Sequence, residues 1–256
     1  MGALVSIIMP AYNAEKFIAK SIQSVQNQTH IDLEIIIVDD CSTDATVSII
    51  QDFVRDDSRI KLVCLAKNSG TGVARNVALQ QITGQFVAFL DADDLWKPNK
   101  LSVQLTFMKT HQLAFTFCFY ECIDEAGLSL HKTIKSPKEL TYRQLFFCNY
   151  IGNLTAIYER RFFENIKVSS IRKRQDWMLW LFILKNIKTA KPVPQSLAFY
   201  RIRENSLSAS KINLLQHNFN VYRLFHQYNL LFSGVCMLGF LFTQLLVKPF
   251  YVVRNK

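Results

Sequence analysis

The chain has no CxxC pair among its six cysteines. Cys118 and Cys122 would share one face of a strand, but no histidine or second pair completes a zinc site around them. Cys41, Cys64, Cys118, Cys122, Cys148 and Cys236 therefore read as reduced core thiols in a cytosolic setting. The opening MGALVSIIMP lacks the basic stretch of a secretory signal and runs directly into a strand pattern, so no signal peptide is expected. A dinucleotide fingerprint is missing too. Gly70-Thr71-Gly72-Val73-Ala74-Arg75 lacks the third glycine and follows the third apolar run instead of the first. Acidic residues are scarce in the second half: residues 126–256 hold 20 Lys+Arg against 5 Asp+Glu, whereas residues 1–125 hold 10 against 15. A basic half suits phospholipid head groups, phosphorylated substrates or nucleic acid. With no reader motif and no stripe of interleaved aromatics, nucleic acid is not expected.

What is present begins with short apolar runs. Val5–Met9, Glu34–Val38, Ile60–Leu65 and Gln85–Leu90 read as strands, the first stopped by Pro10. Between them come helices: one from Ala14 with Asn13 as its N-cap, one through Phe53 capped by Ser42, Thr43 or Asp44, and one from about Gly72 to Ile82. Alternating helices and continuously apolar strands predict an α/β fold, a mostly parallel sheet covered on both faces, with its polar loops gathered at the carboxyl edge. Beyond residue 94 the spacing predicts a helix over Lys97–His111 with Pro98 early in it, a strand Ala114–Ile123, a hairpin turn at Asp124–Gly127 and a short helix Thr141–Cys148. An extended apolar stretch Ile151–Tyr158 and a basic loop Ser169–Arg174 follow. Asp176 then opens an apolar helix, and Gln195–Tyr200 reads as a late strand.

The organising stretch is FLDADD, Phe89–Asp94. Three carboxylates within four residues repel one another unless a cation or a ring of donors is near, and hard oxygens of this kind suit Mg²⁺ or Mn²⁺ with substrate phosphates. An acidic turn capping the next helix accounts equally well for these six residues alone. At the other end, Leu230–Val247 carries no charge for 18 residues, bracketed by His226 and Lys248. It is short of the ~20 residues that usually cross a bilayer, so a span, an in-plane helix, a dimer-forming helix and a buried helix all stay open.

Four motifs in this order, SIIMPAYNAEKFIAKSIQSVQNQT, IIIVDDCSTDAT, KNSGTGVARNVAL and GQFVAFLDADD, resemble the N-terminal half of family 2 glycosyltransferases with the GT-A fold. QDWMLWLFIL and YRIRENSLS are similar to that family's weaker C-terminal signatures and carry the likeness to roughly residue 210. The resemblance implies a domain over 1–210, with a nucleotide-sugar half (1–111) and an acceptor half (112–210), followed by a helical, apolar, membrane-associating tail (211–256). It implies that Pro10, Ala11, Tyr12 and Asn13 line the base pocket, with Asp40 accepting from the base and Asp39 assisting or shaping the loop. Asn68 and Arg75 would meet the nucleotide and its phosphates. Asp91 would reach the ribose or the metal, Ala92 would line the same loop, and Asp93 would ligate Mn²⁺ or Mg²⁺. Asp176 would be the general base of an inverting reaction, preceded here by Gln175 where Glu is common. Many relatives read Tyr-Arg-x-His where this chain has Tyr200-Arg201-Ile202-Arg203, and Arg203 would pair with phosphate in place of a metal-binding His. The implied enzyme moves a hexose or N-acetylhexosamine from a nucleotide sugar, UDP-linked by preference, to a lipid-linked glycan at the inner face of a bacterial cytoplasmic membrane, with a homodimer open. A nucleotidyl- or phosphoryl-transfer enzyme on the same fold, or a non-catalytic nucleotide-sugar-binding scaffold, are the alternatives.

Overall fold

The computed structural model describes residues 3–163, 166–169, 171, 173–203 and 211–254, with the side chains of 211–214 left aside. The expected boundary near residue 210, the Ser-rich loop 204–210 and parts of the Ser169–Arg174 loop lie outside the described residues.

The first half alternates as the periodicity predicts: β1 (Val5–Ala11), α1 (Ile18–Gln26), β2 (Leu33–Asp39), α2 (Thr46–Asp56), β3 (Ile60–Cys64), α3 (Thr71–Leu79) and β4 (Phe86–Phe89). β3, β2, β1 and β4 are neighbours in that order, all parallel. Every residue of β1, β2 and β4 is buried, because each face is covered. Val5, Ile7 and Met9 of β1 meet Ile18, Ile22 and Val25 of α1, while Ile8 points to the opposite core with Ala74 and Ala78 of α3.

Then come β5 (Leu95–Trp96), α4 (Lys100–His111), β6 (Phe115–Ile123), β7 (Ser129–Ile134), β8 (Leu140–Thr141), α5 (Tyr142–Phe147), β9 (Ile157–Glu159), α6 (Gln175–Ile187) and β10 (Thr189–Arg201). The sheet turns antiparallel here: β9 inserts between β4 and β6, and β7 hairpins onto β6 through the Gly127 turn. β10 runs parallel to β6. The sheet is thus mixed, with its parallel part concentrated in the first half of the chain. α6 is anchored beneath β4, where the Trp180 ring meets Phe89 edge-on at 5.7 Å.

Three local expectations are corrected. Pro10 does not stop β1. The Ile8 carbonyl accepts from Leu90 N on the β4 side, so Pro10, two residues on, faces the same side past the end of β4, where a missing N–H costs no ladder bond. Asn13 caps no helix: it is left-handed (φ 44°), its side-chain oxygen accepts from Thr43 N, and α1 starts at Ile18. Pro98 lies in the turn before α4, its carbonyl accepting from Thr29 N. Asp176 does open the apolar helix as expected: it sits in the first turn of α6, behind a left-handed Arg174.

The tail is built into the body. α7 (Lys211–Asn220) leads to Val221 and Tyr222, which are buried in the core shared with α6. α8 (Leu230–Phe242) continues as a helical stretch to Tyr251, 22 residues long and apolar enough to cross a membrane by length and composition. β11 (Val252–Arg254) then pairs antiparallel with β7.

Candidate functional site

The polar loops after β1, β2, β3 and β4 meet at the carboxyl edge, where parallel sheets bind ligands. Hydrogen bonds knit the first two together: Asn13 N donates to Ser42 Oγ (3.0 Å) and Ala14 N to Thr46 Oγ1 (2.7 Å). Asp39 accepts from Ser42 N at 2.9 Å and so shapes its own loop. Both Asp40 oxygens accept backbone N–H groups, from Ser69 and Gly70, each at 2.7 Å. Asp40 therefore locks the KNSG loop, whose Gly70 has φ +89°, to the end of β2. Tyr12, Asn13 and Asn68 are exposed beside these buried anchors, with Pro10 and Ala11 buried beneath.

The FLDADD carboxylates have different partners. Arg75, itself buried, donates to Asp91 Oδ1 at 2.7 Å and to Gln175 Oε1 at 3.0 Å. Asn153 Nδ2 donates to the same Asp91 oxygen at 3.1 Å. The Ala92 carbonyl accepts from Ser21 Oγ at 2.8 Å, pinning the loop to α1. Asp93 Oδ2 lies 2.9 Å from Arg203 Nε, a charge contact in which that N–H finds no aligned acceptor. Asp94 is fully enclosed and accepts from Arg201 N at 2.9 Å, while Arg201 Nε donates to the Asp93 carbonyl at 2.8 Å. Both arginines lie over the Phe17 ring, at 5.0 and 5.4 Å. Burial raises the Asp93 carboxyl above its ordinary value, with Arg203 opposing and Asp91 adding to the rise. Burial pushes Asp94 well above, reinforced by Asp93 and Asp91.

Asp176 Oδ2 accepts from Asn149 Nδ2 at 2.9 Å. Arg75 bridges Asp91 to Gln175, the residue before Asp176, so groups about a hundred positions apart are brought into contact. Sequence reasoning missed Asn149 and Asn153, which leave one loop, CNYIGN, to hold Asp176 and Asp91 respectively. Two amides breaking an otherwise apolar run were the available signal. It also missed that Gln175 is a partner of Arg75.

Among the described residues no three His, Cys, Asp or Glu side chains gather as a metal cage. Asp91, held by Arg75 and Asn153, and Asp93, 2.9 Å from Arg203, are the hard oxygen groups here that could hold a cation. That donor set fits Mg²⁺ or Mn²⁺ held by one or two carboxylates and completed by phosphate oxygens and water. A cavity of about 610 Å³ lies elsewhere, lined by Phe86, Met108, Leu113 and Glu159. Phe86 begins β4, so this cavity sits at the end of the parallel strands opposite to the carboxylate cluster.

The chain matches the family model described as Glycosyl transferase family 2 over residues 6–167. It is 44% identical over 220 residues to TuaG of Bacillus subtilis, a glycosyltransferase named for teichuronic acid biosynthesis, covering 86% of this chain and 87% of that protein. It is 37% identical over 219 residues to WfgD of Escherichia coli, named as a UDP-Glc:alpha-D-GlcNAc-diphosphoundecaprenol beta-1,3-glucosyltransferase, with 85% of each chain covered. Among solved structures it is similar to Staphylococcus aureus TarS 1–349 in complex with UDP-GlcNAc, at TM-score 0.72 and 22% identity, over 94% of this chain and 73% of that one.

Proposed function

This chain belongs to glycosyl transferase family 2 and is a glycosyltransferase of the GT-A fold, and we propose that it transfers a hexose or N-acetylhexosamine, with inversion, from a UDP-sugar to a polyprenyl-diphosphate-linked glycan at the inner face of the bacterial cytoplasmic membrane. The observation that carries this is the Arg75 bridge, which joins Asp91 on the donor side to the helix turn bearing Asp176. The named activity of the E. coli relative supports the donor and the lipid-linked acceptor.

In this reading residues 1–111 hold the donor, residues 112–210 present the acceptor, and residues 211–256 meet the membrane. Tyr12, exposed above the buried Pro10 and Ala11, offers a face to the uracil ring, with Asn13 and Asn68 at its rim. Asp39 and Asp40 keep the pocket's loops in register through the bonds described above. Asp93, assisted by Asp91, would hold Mn²⁺ or Mg²⁺, which when bound neutralises negative charge developing on the diphosphate. Arg203 gives up its contact with Asp93 and turns to the diphosphate, where a guanidinium matches phosphate oxygens. Asp176, oriented by Asn149, takes the proton of the attacking acceptor hydroxyl. Direct displacement on an α-linked donor then gives a β-linked product.

The test is release of UDP from UDP-glucose, UDP-galactose and UDP-GlcNAc, with and without a polyprenyl-diphosphate GlcNAc acceptor, in Mn²⁺ or EDTA. Acceptor- and metal-dependent release from one donor, absent in Asp176→Asn, is expected. Transfer of the nucleotide instead of the sugar, or metal-independent release, would overturn the corresponding part of the reading.

A further inference from the structure

We propose that α8 lies in the plane of an anionic lipid leaflet, its outer stripe sunk to the acyl boundary and its inner stripe fixed to the catalytic domain beside Asp176. This deepens the proposed function and rests on it only for the lipid-linked nature of the acceptor.

The helix has two faces at helical spacing. Ser233, Cys236 and Phe240 are buried against the domain. Leu231, Val235, Leu238, Phe242, Leu245, Leu246 and Phe250 are between 57% and 85% exposed. An unbroken apolar stripe of this kind is rarely left to water. A span is incompatible with the fold on either side of the helix. Val221 and Tyr222 before it are buried in the main core, and Val252–Arg254 after it pair with Ile134–Lys132 of β7. Both flanks belong to one body, so they cannot stand on opposite sides of a bilayer. The middle of the helix is fixed as well: the Phe240 ring lies 5.7 Å from Trp177, and a Cβ on Gly239 would come within 2.6 Å of the Phe147 ring.

Charge selects the lipid over a second copy. Residues 211–256 carry Lys211, Arg223, Lys248, Arg254 and Lys256 and no Asp or Glu. A two-fold contact through this segment sets like charges together, whereas anionic head groups complement them. The arrangement also reaches the chemistry. Lys248 Nζ donates to the Asn149 carbonyl at 3.0 Å, and Asn149 Nδ2 donates to Asp176 at 2.9 Å. The docked helix thus holds the proposed base next to the surface in which a polyprenyl acceptor is embedded.

The test is sedimentation of the full chain with vesicles of phosphatidylglycerol and phosphatidylcholine, or of phosphatidylcholine alone. A variant carrying Leu231→Glu, Leu238→Glu and Leu246→Glu is run beside wild type, its fold checked by thermal unfolding and UDP binding. Wild type should bind the anionic vesicles and be stripped by alkaline carbonate. The variant should bind at least about tenfold more weakly. Leu238→Trp should show a blue-shifted emission on anionic vesicles only, an independent reading should the triple variant misfold. Carbonate-resistant wild type, equal binding by the variant, or a wild-type dimer that ignores vesicles and dissociates in the variant would each overturn the proposal. Sedimentation needs neither donor nor acceptor. Loss of turnover on every acceptor with binding intact would therefore count against the proposed function and leave the docking standing.

Discussion

Glu34, at the amino edge of the sheet, and the Asp91–Asp94 cluster, at the carboxyl edge, are both carboxylates in a mostly buried setting, and they are treated in opposite ways. Burial alone would raise Glu34, but donors overcome it: Ser6 Oγ at 2.6 Å, Thr83 N at 2.6 Å and Lys61 Nζ at 3.0 Å hold its carboxyl down to about 2. At the other edge burial wins, and Asp93 and Asp94 are raised. A carboxylate ringed by donors ties elements together. Neighbouring carboxylates under mutual repulsion are instead held against arginines, Asp91 by Arg75 and Asp93 by Arg203, an arrangement that supports the proposed chemistry at that edge.

The sharpest break in this comparison comes from removing one carboxylate at each function. Asp176→Asn should lower kcat by about 10²–10⁴ with little change in melting temperature, read by UDP release and thermal unfolding. Asp93→Ala should lose metal-dependent turnover while its melting temperature falls little or rises, because burial and repulsion from Asp91 disfavour that carboxylate despite Arg203. A fall as large as that of Glu34→Ala would erase the distinction. Arg75→Ala should cost about 3–5 kcal/mol in denaturant unfolding, since it leaves Asp91 and Gln175 facing an empty buried position. Glu34→Ala should cost about 2–4 kcal/mol, with the turnover of the folded fraction unchanged, because its partners Ser6 and Thr83 lose a buried acceptor.

Smaller effects sharpen the contrast. Asn149→Ala should lower kcat about tenfold with donor KM unchanged, since the amide orients Asp176 and touches no nucleotide-loop residue described above. The pH dependence of Glu34 has a definite sign. Its folded value is depressed, so its stabilisation is present above about 4.5 and is lost as pH falls toward about 2. The melting-temperature gap between wild type and Glu34→Gln should therefore be full at neutral pH and shrink below pH 4. A constant gap would make Glu34 a packing residue only.

Much of the fold was legible because its signals are local. Unbroken apolar runs spaced by one-faced helices give the parallel half, and DDCSTD, KNSG and FLDADD fall at strand ends, where a parallel sheet must gather them. The misreadings share a cause. Asn13 has the chemistry of a cap, but Thr43, thirty residues away, takes its oxygen. Pro10 carries the signal of a strand end, but the shortness of β4 removes the penalty.

By itself, then, the sequence determined the layered α/β half, the family, and the candidate carboxylates and arginines of the proposed chemistry, because each is written in contiguous residues. Only the tertiary structure decided how those groups are shared: Arg75 between Asp91 and Gln175, Asn149 on Asp176, Arg203 on Asp93. It also decided the place of the apolar tail. The 18 uncharged residues read alike for a span, a dimer seam or a surface helix, since hydrophobicity fixes no direction. The pairing of β11 with β7 and the seat of Phe240 on Trp177 fix it, and those contacts depend on residues 63 to 122 positions away.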